Sequence, residues 1–196
     1  DVIEKLHGSE AVAWRAQLEQ IPEAELNRRI EQDYVARLFP NASLTSLEIT
    51  GREQDQPDLQ LHYVAEVGNF ARSVSGGLSL PAMLPSELAA NYARNAARKT
   101  TELIPSPVRT TVEVSVALPS GIAAPAPLSP VSLSAKLPGN PSFAETVSIR
   151  SDGFTLQRSI AVPRTRVTPS EYTTFAEFCR RVDAVEDREI VLPKRQ

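Results

Sequence analysis

The spacing of apolar residues changes at Pro40-Asn41, and that change constrains the fold more than any other feature. Before it, residues 9–39 read as helical. Ser9 is placed to cap a first helix carrying Val12, Trp14, Leu18 and Ile21. Pro22 then stops, kinks or restarts the chain, since proline is tolerated in a first turn. Leu26, Ile30, Tyr34 and Leu38 recur every four residues, with Val35 and Phe39 beside them, and make one apolar stripe. Glu23 and Glu25 suit the positive end of that helix. After Asn41 the period is two. Residues 43–50 and 58–67 read as strands joined by the polar loop GREQDQP. Leu59, Leu61 and Tyr63 alternate with Gln60 and His62. A third strand is expected near 70–80, loosened by Gly76-Gly77, and a short helix over 85–98 with Pro85 in its first turn.

Thr111–Leu118 alternates most cleanly. Val112, Val114, Val116 and Leu118 face one way, and Glu113 and Ser115 the other, as in an antiparallel sheet with one wet face. The three valines are expected to point inward together. Residues 119–141 hold six prolines and read either as a linker or, through Val131, Leu133 and Leu137, as a short edge strand. Residues 144–150 and 153–162 pair across Ser151-Asp152-Gly153. Thr168, Pro169 and Glu171 form a capping box before a late amphipathic helix at about 169–184. Tyr172, Phe175, Phe178 (or Cys179) and Val182 make its apolar stripe, and 188–192 read as a last strand. The expected class is α+β: a mainly antiparallel, β-sandwich-like domain with an N-terminal helical block and a late amphipathic helix. The expected division is a helical segment at 1–41 packing on a β-rich domain at 42–196.

Composition excludes several function classes. The chain has 196 residues, 41% hydrophobic and 23% charged, with a formal net charge of -3. Its basic residues are scattered, the longest runs being pairs such as Arg28-Arg29 and Arg180-Arg181. No basic face for nucleic acid follows. No apolar run approaches the roughly 18 residues of a membrane span, so no membrane insertion is expected. No signal-peptide pattern is visible, and a chain that starts at Asp1 without Met is expected to be a processed or excised product.

The candidate chemistry is sparse. Cys179 is the one cysteine, and His7 and His62 are the two histidines. A papain-like site needs a Cys nucleophile, a His base and an orienting Asp or Asn. Cys179 sits in the third turn of an amphipathic helix, whereas an activated thiol favours a helix N-terminus. It is read as a small buried hydrophobe. His62 alternates outward, and His7 lies near an end expected to fray. Glu53, Asp55 and Asp58 could ligate calcium but lack the EF-hand pattern, so a solvated loop is expected. Asp183, Glu186, Asp187 and Glu189 form an acidic cluster at a helix C-terminus, against the dipole. The cluster reads as a solvated face neutralised by Arg180, Arg181 and Arg188, or as a partner surface. Gly76-Gly77 lacks the Gly-Lys-Ser/Thr of a phosphate loop and reads as a bulge or tight bend. Asn41-Ala42-Ser43 matches a glycosylation acceptor, and Trp14, the single tryptophan, is placed on a helix core face. No catalytic, cofactor-binding or metal residue is assigned, and no cofactor is expected.

Several segments together resemble the region downstream of the papain-like core in exported bacterial transglutaminase-like proteins. Gly8, Ala11 and Arg15 in GSEAVAWR are similar to its opening helix, and FPNASLTSLEI to its first strand. Arg98 followed by LIPSPVRTTVEVSVALPSG is similar to its central strand. Phe154 to Val162, then Tyr172, Phe175, Phe178 and Asp183, are similar to its closing elements. The resemblance implies a periplasmic or otherwise exported setting and a non-catalytic accessory role, with the upstream transglutaminase-like core or another protein as partner. The alternatives are an independent binding module for peptide, cell-wall material or carbohydrate, favoured by an open sheet edge or aromatic groove, and a carboxylate enzyme, favoured by a deep acidic pocket.

Overall fold

The computed structural model describes residues 1–195. They are α+β, with mostly antiparallel sheets, N-terminal helices and one long C-terminal helix. Two compact units are present, Asp1–Phe70 and a second beginning at Ala71. This division falls well after the 41/42 boundary read from sequence. The reason is long-range pairing: strands after Asn41 hydrogen-bond to a strand at the N-terminus, and the helices cover that same sheet.

In the first unit, strand β1 (Val2–His7) leads into α1 (Gly8–Leu18). A 3-10 turn (Glu23–Glu25) then opens a second helical run: α2 (Leu26–Ile30), a π-helical turn (Glu31–Val35) and α3 (Ala36–Leu38). Strands β2 (Ala42–Thr50) and β3 (Asp58–Val67) complete a sheet of order β1-β3-β2. The N-terminal end is therefore paired, not frayed: Leu6 stands opposite Leu59, and both are buried. Helix α1 begins at Gly8 with His7 as its N-cap, so Ser9 lies inside the helix and caps nothing. Its buried stripe is Ala11, Arg15 and Leu18, and Val12 is 62% exposed. The second stripe also differs. Leu26, Ile30 and Val35 are buried, while Tyr34 and Leu38 are half-buried. The π turn inserts one extra residue between Ile30 and Val35, and so keeps the apolar face on the sheet where a strict period of four would rotate away.

The second unit opens with the hairpin β4 (Arg72–Val74) and β5 (Gly77–Leu80). The helix expected over 85–98 shrinks to α4 (Leu88–Tyr92), and Pro85 lies before it. Then come β6 (Glu102–Ile104), β7 (Val108–Ala117), β8 (Val131–Ser134), β9 (Ser142–Arg150), β10 (Gly153–Val162) and β11 (Thr165–Val167). The unit ends in α5 (Pro169–Glu186) and β12 (Ile190–Pro193). The main sheet runs β7-β10-β9-β8, and smaller sheets run β12-β5-β4 and β11-β6.

The proline-rich stretch thus supplies an edge strand, β8, paired to β9. The β9–β10 hairpin forms as read, but Gly153 pairs with Arg150 and lies in the strand. A Cβ there would sit 1.9 Å from the Val116 carbonyl oxygen, so close backbone approach demands the glycine. Val112, Val114 and Val116 do share a face, opposite Arg158, Leu156 and Phe154. They are only half-buried, because β7 is the sheet's edge.

Helix α5 has the expected capping box, with Pro169 in its first turn. The Glu171 carboxylate accepts from the Thr168 amide at 2.9 Å and hydroxyl at 2.7 Å. Tyr172, Phe175, Phe178, Cys179 and Val182 are all buried, in one cluster with Phe143, Ile160 and Val162 of the sheet. Among the described residues no helix is long and apolar enough to cross a membrane.

Candidate functional site

The inward face of β10 carries Phe154, Leu156, Arg158, Ile160 and Val162, all buried. Four are apolar, and the fifth is a guanidinium that is 3% exposed. A buried charge must be paired and hydrogen-bonded to persist. Glu145 stands directly across from Arg158 on β9 and is 5% exposed. Its Oε2 accepts from Arg158 Nε at 3.1 Å and Nη2 at 2.8 Å. Its Oε1 accepts from Arg188 Nη2 at 2.7 Å.

The remaining guanidinium nitrogen reaches a loop. Arg158 Nη1 donates to the carbonyls of Met83, at 3.0 Å, and Leu84, at 3.2 Å. The loop leading to α4 holds two residues in the left-handed region, Leu84 at φ 49° and Glu87 at φ 51°. Each such conformation costs about 1–3 kcal/mol and persists where its surroundings over-determine it. Helix α5 supplies the other half of that restraint. Glu186 Oε2 accepts from the Ser86 amide at 2.9 Å and from the Ser86 hydroxyl. Asp183 accepts from the amides of Leu88, at 2.8 Å, and Ala89, at 2.9 Å. Asp183 therefore caps α4 from a different helix, in place of Glu87, whose side chain makes no cap.

The acidic cluster at the end of α5 is thus only in part a solvated face: Asp187 and Glu189 are exposed, Asp183 is half-buried and Glu186 is buried. Asp183 and Glu186 are spent on backbone amides. Glu189 is bound by Arg72, at 2.8 Å, and by the Ser79 hydroxyl, at 2.6 Å. Asp187 alone of the four remains exposed with no side-chain bond of this kind, as the C-cap. Burial pushes the Glu186 carboxyl above its ordinary range, and its bonds to Ser86 and its proximity to Arg158 oppose this. Its Oε1 lies 3.2 Å from Arg158 Nη1 but outside hydrogen-bonding geometry. The cleft beside Arg158, Glu145 and Glu186 has about 60 Å³ of free volume, and a more open one lined by Pro85, Glu87, Ala90, Asp183 and Asp187 has about 290 Å³. The smaller cleft admits only waters, and the open one lies near the lower bound of small-molecule sites, about 300 Å³. The arrangement's chemistry is to hold a strained loop.

Cys179 and the two histidines have deep burial or internal partners, while Glu53 and Asp55 are exposed. Cys179 is fully buried, and burial foremost, with Asp183 adding, pushes its thiol up to about 12. His7 and His62 belong to the first unit. His7 bonds Asp58 at 2.5 Å, and His62 bonds Asp1 at 3.0 Å. The acidic loop offered as a calcium site is closed on a cation of the chain itself. Arg15, 7% exposed, donates to the carbonyls of Gly51, Gln56 and Asp58 at 2.8–2.9 Å. Gly76, at φ 84°, forms the β4–β5 turn. Asn41 also adopts a left-handed turn, at φ 65°. Trp14 is half-buried, its ring edge-on to Tyr34 with centroids 4.7 Å apart. The hydroxyls of Tyr34 and Tyr63 converge on Glu4, and burial first, then the Glu4 charge, raises both phenols.

Sequence reading passed over Arg158, Glu145 and Ser86. Two of them left a signal. Once β9 and β10 pair across Ser151-Asp152, the register puts residue 145 opposite 158, and a charge at an inward position of an apolar strand calls for such a partner. Ser86 left none, because its bond spans 100 residues to Glu186.

No curated protein and no solved structure matches the chain. A family model described as "Domain of Unknown Function with solved-structure structure" matches residues 76–192, from the β4–β5 turn through β12. The match spans more than half of the chain and contains the clamped loop, the four-stranded sheet and α5. The chain belongs to the DUF3858 family.

Proposed function

We propose that the chain is a non-catalytic accessory domain of an exported transglutaminase-like protein of the papain-like superfamily. It supports the core of that protein or a contact with a partner. The observation that carries this reading is the condition of the reactive groups. The single thiol is fully buried with its ionisation pushed up, and the clustered acids Asp183, Glu186 and Glu189 hold backbone amides, Ser79 and Arg72. The DUF3858 family carries no stated activity, and the link to a transglutaminase-like core rests on the segments quoted above. The test adds purified chain to a transglutaminase-like core expressed from the same reading frame or operon. The expected result is complex formation and a rise of the core's Tm with chain concentration. No such core in the genomic neighbourhood, or no binding and no shift, overturns the reading.

A further inference from the structure

Sheet edges are templates for further pairing, and proteins normally guard them with short length, bulges, prolines or charge. Most edges here are guarded. β2 carries a bulge between Leu44 and Ser46. β1 is short and displays Lys5. β8 spans only Val131–Ser134 and follows Pro130. β4 and β12 are short, and β12 ends on Pro193. β7 is different. It runs ten residues, Val108–Ala117, in unbroken register with β10, without proline, lysine or bulge. Its only strand partner among the described residues is β10, so its outer row of amides and carbonyls is unpaired.

The strand's own charges say what fits that edge. Arg109, Thr111 and Glu113 are exposed on one face. Across β10, Arg109 faces Ala161, which offers it no charge. Arg109 and Glu113 lie symmetrically about Thr111. A second β7, antiparallel and related by a twofold axis at Thr111, sets each Arg109 opposite the other copy's Glu113. On the other face Val108 meets Val114 and Thr110 meets Val112. Centring the twofold on Glu113 instead sets like charges together, which is destabilising. In the Thr111-centred register Ser115 stands opposite Pro107, which has no N–H, so the ladder stops there. We infer that β7 is a self-pairing edge through which two copies of this chain join their four-stranded sheets, with crossed Arg109–Glu113 ion pairs fixing the register. The interface is isologous, as a closed dimer requires.

Sedimentation of the full chain over a range of concentrations tests this. The expected result is a reversible monomer–dimer equilibrium. Arg109→Glu and Glu113→Arg should each weaken it at least about tenfold, since both crossed pairs become repulsive. The double reversal should restore it, and unchanged melting of each diluted variant shows that folding is intact. A second measurement reads the register. Thr111→Cys should cross-link efficiently under mild oxidation, because directly opposed residues lie within disulfide reach. Glu113→Cys should not, and Cys179, fully buried, gives little background. A monomer at all concentrations, a dimer indifferent to both single reversals, or preferred cross-linking through Glu113→Cys overturns the inference.

Discussion

Arg158 on β10 and Glu145 on β9 are direct cross-strand neighbours, and both guanidinium bonds to Glu145, at 2.8 and 3.1 Å, end on one carboxylate oxygen. The other oxygen is left for Arg188, at 2.7 Å. One hairpin thereby joins the sheet, the loop before α4 and the end of α5. Glu145→Gln leaves Arg158 buried with only part of its counter-charge. The expected loss in chemical denaturation is about 3–5 kcal/mol, the range for breaking a buried pair. A loss near zero would mean that the pair is solvated in solution.

The loop restraint predicts a smaller, local effect for Asp183→Ala. Two amides at the start of α4 lose their acceptor. The expected cost is about 0.5–2 kcal/mol, as for a lost cap. Amide hydrogen exchange should speed up at Leu88 and Ala89 before it does in the β9–β10 hairpin. Uniform exchange across both would contradict the local role.

Acid titration should show opposing contributions. The Glu186 pKa lies above its ordinary value of 4.5, so the folded state binds its proton more tightly than the unfolded one. Its contribution is full below about 4.5 and is lost as pH rises through the folded value. Glu171 and Glu189 are lowered, Glu171 by its bonds to Thr168 and Glu189 by Ser79 and then Arg72. Their contributions are present above 4.5 and are lost as pH falls through the folded values. Denaturation from pH 3 to 8 should therefore show a flatter high-pH side in Glu186→Gln and a shallower acid limb in Glu171→Gln. The reverse assignment would contradict the geometry of both carboxylates.

Helix α5 gives a third stability test. Phe178, 3% exposed, packs in the cluster beneath the sheet, and Phe178→Ala should cost about 3–5 kcal/mol. Thr168→Ala should cost about 0.5–2 kcal/mol through the capping box. Equal, near-zero effects would mean that the helix is not docked.

What was legible in the sequence was local. Thr168-Pro169-x-Glu171 marks the start of α5, and Ser151-Asp152 marks the hairpin turn, because capping and turn chemistry act over a few residues. The alternation at Leu59, Leu61 and Tyr63 marks β3 in the same way. What was hidden was long-range. β1, with Val2 and Ile3 adjacent and two charges before Leu6, shows no clean alternation, and its pairing with β3 holds it as a strand. The π turn is visible only as the offset from Ile30 to Val35, which a strict four-residue template misreads. The acids of α5 read as solvated, since nothing near them in sequence shows that the amides of Ser86, Leu88 and Ala89 lie against them.

The central claim is that this chain performs no thiol chemistry of its own, and Cys179 tests it most directly. Native protein is treated with iodoacetamide at neutral pH while amine transfer and peptide hydrolysis are followed. With the thiol fully buried and its pKa at about 12, labelling should be slow in native protein and fast after unfolding. Neither activity should be present to lose, and Cys179→Ser should alter stability slightly. Rapid native labelling, together with a hydrolase or transferase activity that Cys179→Ser abolishes, would contradict the account.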